Sequence, residues 1–210
     1  MTGEKQVFEY RGIRDLVAAE LLTDTTSELT YGTVFPIAGI AQLTKATANS
    51  SETHYYDNVA AIVIDSVGAD TVTCSTSGIP LDVLAKLTGQ YWDEGAQTFV
   101  EGEGIRKYFA IGYITENTDG QEVFVWRHKV KCSIPDSSHG TKTDGTDASG
   151  QELVFTGINT THKFEVTGKT AKAVNHIKNE KISEKDFFAA PLDIDSIQLM
   201  MSISDPEQTA

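Results

Sequence analysis

Residues Glu122 to Ile134 show the clearest alternation of apolar and polar positions in the chain. Because successive side chains of a strand point to opposite faces, one face of this predicted strand carries Phe124, Trp126, His128, Val130, Cys132 and Ile134. The other face carries Val123, Val125, Arg127, Lys129 and Lys131. Residues 107–115 are also strand-like, and Asp119-Gly120 favours the positive φ angles of a tight turn. We therefore predict a β-hairpin over residues 107–134.

Several further segments have the length and composition of strands. Residues 58–65 (NVAAIVID) are apolar at nearly every position, which is typical of a strand buried on both faces. Residues 70–77 alternate, with Val72 and Cys74 on one face. Weaker strand patterns cover residues 31–48, 152–158, 163–166 and 172–177. The chain is thus predicted to be mainly β.

One α-helix is predicted over about residues 80–88. Leu81, Leu84 and Ala85 fall on one face at helical spacing. Pro80 suits the first position of a helix, where a missing N–H costs nothing, and Gly89 suits the left-handed residue that ends one. A second, short helix is expected to open at Ser183, which is followed three residues later by Asp186.

Two polar segments are predicted to be long exposed loops. Residues 44–52 (TKATANSSE) are small and polar, and residues 136–150 contain no large apolar side chain. No internal repeat or shift in composition divides the chain, so we expect one domain over residues 1–210. Within it, the N-terminal segment 1–30 and the C-terminal segment 178–210 are candidates for extended arms.

The composition narrows the classes of function. The 210 residues carry 17 Lys and Arg against 30 Asp and Glu, giving a net charge of −13, which disfavours a protein that grips nucleic acid. The two cysteines are too few for a disulfide scaffold. We expect neither a secretory signal peptide, because a basic region followed by an apolar one is missing, nor a membrane span.

Candidate chemistry is sparse, and we expect no enzyme. His128 and Cys132 share a predicted strand face, where Cys74 could join them as a metal ligand, but a packed core is the commoner explanation. His54 lies close to Asp57 without a recognisable nucleophile motif, which favours a subunit contact. The glycines of residues 102–104 are flanked by acids that would repel a phosphate.

In combination, several segments resemble the major tail protein family of long-tailed bacteriophages of Gram-positive bacteria. The similarity spans roughly the first four-fifths of the chain and lies in the order and spacing of the segments, since no single motif is diagnostic. The segments are GIRDLVAAELLTD (12–24), YGTV (31–34), ETHYYDNVAAIVIDSVGADTVT (52–73), IPLDVLAKLTGQYWDE (79–94), RKYFAIGYITENTDGQEVFVW (106–126), KCSIPD (131–136) and DASGQELVFTGINTTHKF (147–164). The match weakens after about residue 173.

The resemblance implies a β-sandwich or barrel-like tail tube fold with one flanking helix. It further implies a virion protein, present in the host cytoplasm before assembly, that forms hexameric rings stacked into a hollow tube without a cofactor. Its partners would be other copies of itself, the tape-measure protein, the tail terminator and the tail tip proteins. DNA would pass through the lumen without specific binding.

Interface residues can be nominated on this basis. For stacking between rings the candidates are Thr44, Lys45, Asn49, Ser50, Ser51 and Glu52. For charge pairing between copies they are Arg127, Lys129 and Lys131, and the exposed loop contributes Asp136, Asp144 and Asp147. Three alternatives stay open: a β-rich surface adhesin or carbohydrate-binding module of a virion, a small hydrolase, and the inner tube of a contractile secretion system.

Overall fold

The computed structural model describes residues 7–141 and 149–203, and their fold is mainly β, as predicted. The strands are β1 (Tyr10–Asp24), β2 (Leu29–Tyr31), β3 (Phe35–Ala38), β4 (Ile40–Tyr56), β5 (Val59–Thr76), β6 (Tyr91–Asp93), β7 (Thr98–Val100), β8 (Phe109–Asn117), β9 (Glu122–Cys132), β10 (Gln151–Gly157) and β11 (Ala173–Ile177). The helices are α1 (Leu81–Thr88), α2 (Glu184–Phe187) and α3 (Ile194–Ile203).

The main sheet is antiparallel and curls into a barrel. Its strands run in the order β2-β1-β8-β9-β10-β5-β4. β3 pairs with β1 and is separated from β4 by Gly39 alone, so the hydrogen-bonded path from β4 returns to β1. Gly39 itself continues the ladder, because its carbonyl accepts from the N–H of Ser77 at 2.8 Å. Closure removes most of the open sheet edges that an antiparallel sheet would otherwise expose.

Two apolar clusters pack on opposite faces of β8 and β9. The inner cluster fills the barrel and includes residues from β5, β10 and α1, such as Val72, Cys74 and Leu87. The outer cluster lies between the sheet and the C-terminal helices, with Trp126 and Phe187 fully buried in it. The indole N–H of Trp126 donates to the Phe187 carbonyl at 3.0 Å, so this polar group is satisfied when buried.

The alternation of β9 is interrupted by a β-bulge. Two residues of β9, His128 and Lys129, lie between Arg127 and Val130, whereas only Ala110 lies between their partners Ile111 and Phe109 on β8. Arg127 therefore points to the same side as Val130, and the prediction of one apolar and one cationic face is wrong. The bulge also puts His128 against Phe164, with ring centroids 5.5 Å apart, whereas Cys132 lies in the inner cluster. These two candidate metal ligands thus lie on different faces.

The most unusual element is a hairpin that leaves the barrel. β10 pairs with β5 only as far as Asp70, and beyond this point β5 pairs only with β4 among the described strands. We call residues 48–68 the arm. Every arm residue except His54 is exposed. The predicted loop at residues 44–52 is therefore strand, and residues 58–65 are exposed on both faces instead of buried, which corrects both predictions.

The helices extend the prediction. Helix α1 follows Pro80 and ends at Gly89 with φ +72°, as expected. Helix α2 is capped by the Ser183 hydroxyl, which accepts from the Asp186 N–H. Helix α3 was not predicted, so the described residues contain three helices, against the one flanking helix and the short helix after Ser183 that the sequence predicted.

The two candidate terminal arms pack onto the barrel where they are described. Residues 10–24 form the central strand β1, paired with β2, β3 and β8, which corrects the interpretation of residues 1–30 as an arm. The C-terminal segment contributes Ile182, Leu192 and Ile197 to the outer cluster. Residues 163–166, predicted as a strand, are irregular. The carboxylate of Asp195 in α3 accepts hydrogen bonds from the backbone N–H groups of Glu165 and Val166.

Candidate assembly interface

The arm exposes branched apolar side chains that have no contact with the core. The exposed fractions are 64% for Val59, 49% for Ile62, 58% for Val63, 54% for Ile64 and 69% for Val67. Exposed apolar side chains along a projecting ribbon mark an interaction surface, because a two-stranded ribbon alone in water is marginally stable. The arm therefore has the chemistry of an element that is covered in an assembly.

The register of the arm places its apolar residues on both faces. On one face Ile64 lies opposite Glu52, and Ile62 lies opposite His54. On the other face Val63 lies opposite Thr53. In each case the apolar partner belongs to β5 and the polar partner to β4. The apolar stripe thus follows β5 on both faces, whereas β4 supplies hydrogen-bonding and charged groups.

The tip of the arm is a tight turn with aromatic flanks. Asp57 and Asn58 have φ angles of +51° and +64°, which short polar side chains tolerate and which suit a two-residue hairpin. Tyr55 and Tyr56 precede the turn and are 67% and 60% exposed. Tyrosine supplies a large contact area together with a hydroxyl, so the tip can bind a surface that is partly apolar and partly polar.

A groove of about 980 Å³ opens where the arm leaves the barrel. Its walls come from β1, the base of β4, β8, β9 and β11, and we call it the mouth groove. The lining residues are Tyr10, Arg11, Gly12, Ile13, Ala41, Gln42, Leu43, Lys45, Tyr113, Thr115, Val123, Val125, Arg127 and Asn175. They combine an apolar floor with three cations and no carboxylate.

A buried charge cluster lies at the inner end of this groove. The Asp70 carboxylate, with a side chain 6% exposed, accepts from the Lys172 ammonium at 2.8 Å and lies 3.5 Å from the Arg127 guanidinium. Burial alone would raise the pKa of Asp70, but the hydrogen bonds from Lys172 and Thr47 bring it below its ordinary value. One carboxylate is therefore shared by two nearly buried cations, which leaves a net positive charge in the cluster.

Arg127 has few hydrogen bonds for a buried guanidinium. It is 8% exposed, donates to the Tyr113 hydroxyl at 3.1 Å, and its Nε has no partner. A guanidinium carries five N–H donors, and buried polar groups are normally paired. Arg127 thus retains donors for an acceptor beyond those that its own chain supplies.

The three nominated cations do not form one row. Arg127 lies inside the barrel mouth and pairs with Asp70, as described above. Lys129 and Lys131 lie on the outer side of β9, where Lys129 pairs with Asp24 and both ammonium groups lie 5.3 Å from the centre of the Tyr108 ring. The prediction of a shared cationic face is corrected by the bulge. Of the three, only Arg127 lines the groove.

The other nominated residues fall into two groups. Thr44 and Lys45 lie on β4 near the barrel, whereas Asn49, Ser50, Ser51 and Glu52 lie in the arm. Ser50 bonds to Ser66 across the arm at 2.7 Å. Asp136 is exposed in an irregular segment, and Asp144 and Asp147 lie outside the described residues.

The apolar half of the arm was missed as an interface by sequence reasoning. The signal was present in NVAAIVID, because apolar residues on both faces of a strand require cover on both sides. The sequence-based prediction placed this strand in the core of its own chain, where other elements would cover both faces. The pattern alone does not distinguish burial within one chain from burial between chains.

Among residues 7–141 and 149–203, no group of three or more His, Cys, Asp or Glu side chains is arranged to hold a metal ion. None of the helices in these ranges has the length and hydropathy needed to cross a membrane. No family model matches the chain, and no curated protein matches it either.

Proposed function

We propose that the protein is the structural subunit of a bacteriophage tail tube, which assembles into stacked, hexameric rings. The observation that carries the proposal is the arm, an exposed apolar hairpin on an otherwise closed barrel. The resemblance of segments 52–73 and 106–126 to the major tail proteins supports the same function. The protein acts by assembly, in the host cytoplasm first and in the virion tail afterwards, and the proposal assigns it no catalysis and no cofactor.

The physics of the arm favours association of identical copies in a head-to-tail arrangement. Fully burying a Val or Ile side chain is worth roughly 1.5–3 kcal/mol. The five exposed Val and Ile residues of the arm therefore provide a strong driving force for association. An arm that binds a different surface on the next copy makes a heterologous contact. Such contacts close into rings when the rotation permits, and otherwise propagate as filaments.

The remaining partners follow from the proposal and from the charge of the chain. The tape-measure protein would occupy the lumen during assembly, and the terminator and tip proteins would close the two ends. A net charge of −13 on each copy would keep DNA phosphates from adhering to the tube wall. The genome would then pass through the lumen without specific binding.

A second candidate function is a β-rich surface adhesin or carbohydrate-binding module of a virion. The observation in its favour is the exposure of aromatic rings, namely Tyr55 and Tyr56 at the arm tip and Tyr91 on β6, which is 63% exposed. A module of this kind would stay a monomer or trimer and would bind a glycan through these rings. Its oligomeric state thus distinguishes it from a tube subunit.

The test compares the wild-type protein with Val63→Ser/Ile64→Ser/Val67→Ser by light scattering after size-exclusion chromatography. We expect the wild type to associate as concentration rises, and the variant to remain a monomer of about 22.8 kDa with an unchanged melting temperature. The matched control is Ile105→Ser/Ile177→Ser, which removes apolar residues that are exposed outside the arm. Equal association of wild type and arm variant would contradict the proposal.

A further inference from the structure

We infer that the mouth groove receives the acidic arm of another copy, tip first, and that a carboxylate of that arm pairs with Arg127 and Lys45. The inference rests on the proposed self-assembly and specifies which two surfaces meet. It identifies an acidic, partly apolar β-hairpin as the ligand of the groove.

Cations outnumber carboxylates around the groove, because Arg11 and Arg127 pair with Glu116 and Asp70 while Lys172 shares Asp70 and Lys45 is a further lining cation. Arg11, Lys45 and Arg127 line it without a lining carboxylate, and Arg11 is paired with Glu116 at 2.9 Å outside the lining set. Deeper in, Asp70 faces both Arg127 and Lys172. Buried or partly buried cations require anionic partners, since desolvation is costly for an uncompensated charge. An incoming carboxylate would supply that balance.

Arg127 is a separate indication of a ligand. Its side chain is nine-tenths buried, it lines the groove, and its Nε has no hydrogen-bond partner. The one short bond that it makes is to the Tyr113 hydroxyl. A carboxylate is the acceptor that matches the planar fork of a guanidinium.

The arm has the opposite charge. The sequence has no Lys or Arg between Lys45 and Lys86, whereas the arm contains Glu52, Asp57 and Asp65. The Glu52 side chain is 80% exposed, and its carboxylate lies 3.9 Å from the imidazole Nε2 of His54. The arm therefore presents acidic and apolar groups together, and the groove presents cations around Ile13, Leu43, Val123 and Val125.

The tip cannot reach the groove of its own chain. Gln42 lies in the groove wall and Val59 lies at the tip, paired with Tyr56. Gln42 and Tyr56 are fourteen positions apart on β4, which corresponds to roughly 45 Å at about 3.3 Å per residue. A tip that occupies a groove therefore comes from a different copy.

Disulfide trapping tests this contact directly. Val59→Cys and Gln42→Cys are made as separate single variants, mixed under assembly conditions, and oxidised. Since a disulfide needs Cα atoms within about 7 Å, a link between these positions can only join two copies. Cys74 and Cys132 are buried, and burial raises the pKa of each thiol to about 12, so they do not compete.

The expected product is a cross-linked heterodimer that forms only in the mixture. The control mixes Val59→Cys with Ile105→Cys, which is exposed but outside the groove, and should give little heterodimer. Predominant Val59→Cys homodimers, or no more heterodimer than in the control, would overturn the inference. If rings still form in the absence of the specific cross-link, the proposed function stands and only this contact is wrong; if no association occurs, both fail.

A charge exchange tests the electrostatic part. Lys45→Glu and Glu52→Lys should each raise the concentration at which half the protein is assembled by about tenfold. The double variant should assemble at about the wild-type concentration, because positions 45 and 52 then carry opposite charges again, with their signs exchanged. Glu101→Lys, an exposed change of the same charge elsewhere, is the control and should have no such effect. Failure of the double variant to recover would contradict the pairing.

Discussion

At the scale of single residues, the least expected feature is a carboxylate that holds two cations within a barrel mouth. Asp70 is 4% exposed and accounts for the proximity of Arg127 and Lys172. Sequence patterns could place Asp70 next to an apolar strand, but not beside these two cations. Their meeting depends on the β9 bulge for Arg127 and on the segment that leads into β11 for Lys172.

Asp70→Asn should destabilise the protein by about 3 kcal/mol at pH 7, because it leaves two nearly buried cations without their carboxylate. The pKa of Asp70 in the folded state is below its ordinary value of 3.8. Its contribution to the free energy of unfolding is therefore complete above pH 3.8 and is lost as the pH falls toward the folded-state pKa. The difference between wild type and variant should therefore narrow below about pH 4. Urea unfolding followed by tryptophan fluorescence measures this difference in the free energy of unfolding, with Asp136→Asn as the exposed control. A difference that does not change with pH would contradict the role of the Asp70 carboxylate.

Gly112→Ala tests the packing of the outer cluster. A Cβ at this position would lie 2.9 Å from two ring atoms of Trp126 and 3.0 Å from Phe188. Overpacking of this kind costs about 1–3 kcal/mol. Gly78→Ala, where no atom lies within 4 Å of the added Cβ, should change the free energy of unfolding by less than about 0.5 kcal/mol. Equal stability of the two variants in thermal unfolding would refute the packing.

At the scale of elements, hydrophobic patterns predicted the existence of most strands but not their environment. The β8–β9 hairpin and α1 were predictable because local signals, the Gly120 turn and the Gly89 cap, coincide with periodicity. The β9 bulge was not, because an extra residue reverses the alternation without a local sign in the side chains. Residues 44–52 are strand because β5 supplies hydrogen-bond partners, despite their polar, loop-like composition.

The arm should be dispensable for folding and necessary for assembly. Thr47 and Asp70 are paired across β4 and β5, so residues 48–69 can be replaced by Asn-Gly to close the hairpin at that point. The shortened protein should keep the barrel and a melting temperature within a few degrees of the wild type, because the arm buries little against the core. Circular dichroism and sedimentation velocity measure both properties. Loss of folding, or retained assembly, would contradict this separation.

At the scale of the whole molecule, residues 7–141 and 149–203 include a closed barrel, a helical cover and a projecting arm. Ion pairs link the barrel to its helical cover, because Arg14 of β1 pairs with Glu184 of α2 and with Glu122 of β9, each at 2.7 Å. In the arm, Val and Ile side chains are exposed along most of β5, with no packed layer of the described residues over them. This asymmetry supports a subunit whose folding is complete before assembly and whose arm is buried only when copies meet.

Negative-stain electron microscopy of the purified protein at rising concentration tests the central claim most directly. The account predicts six-fold rings or hollow tubes for the wild type, and their absence for the protein with the shortened arm. Discrete dimers or trimers without rings at any concentration would contradict it and would favour the surface-binding module.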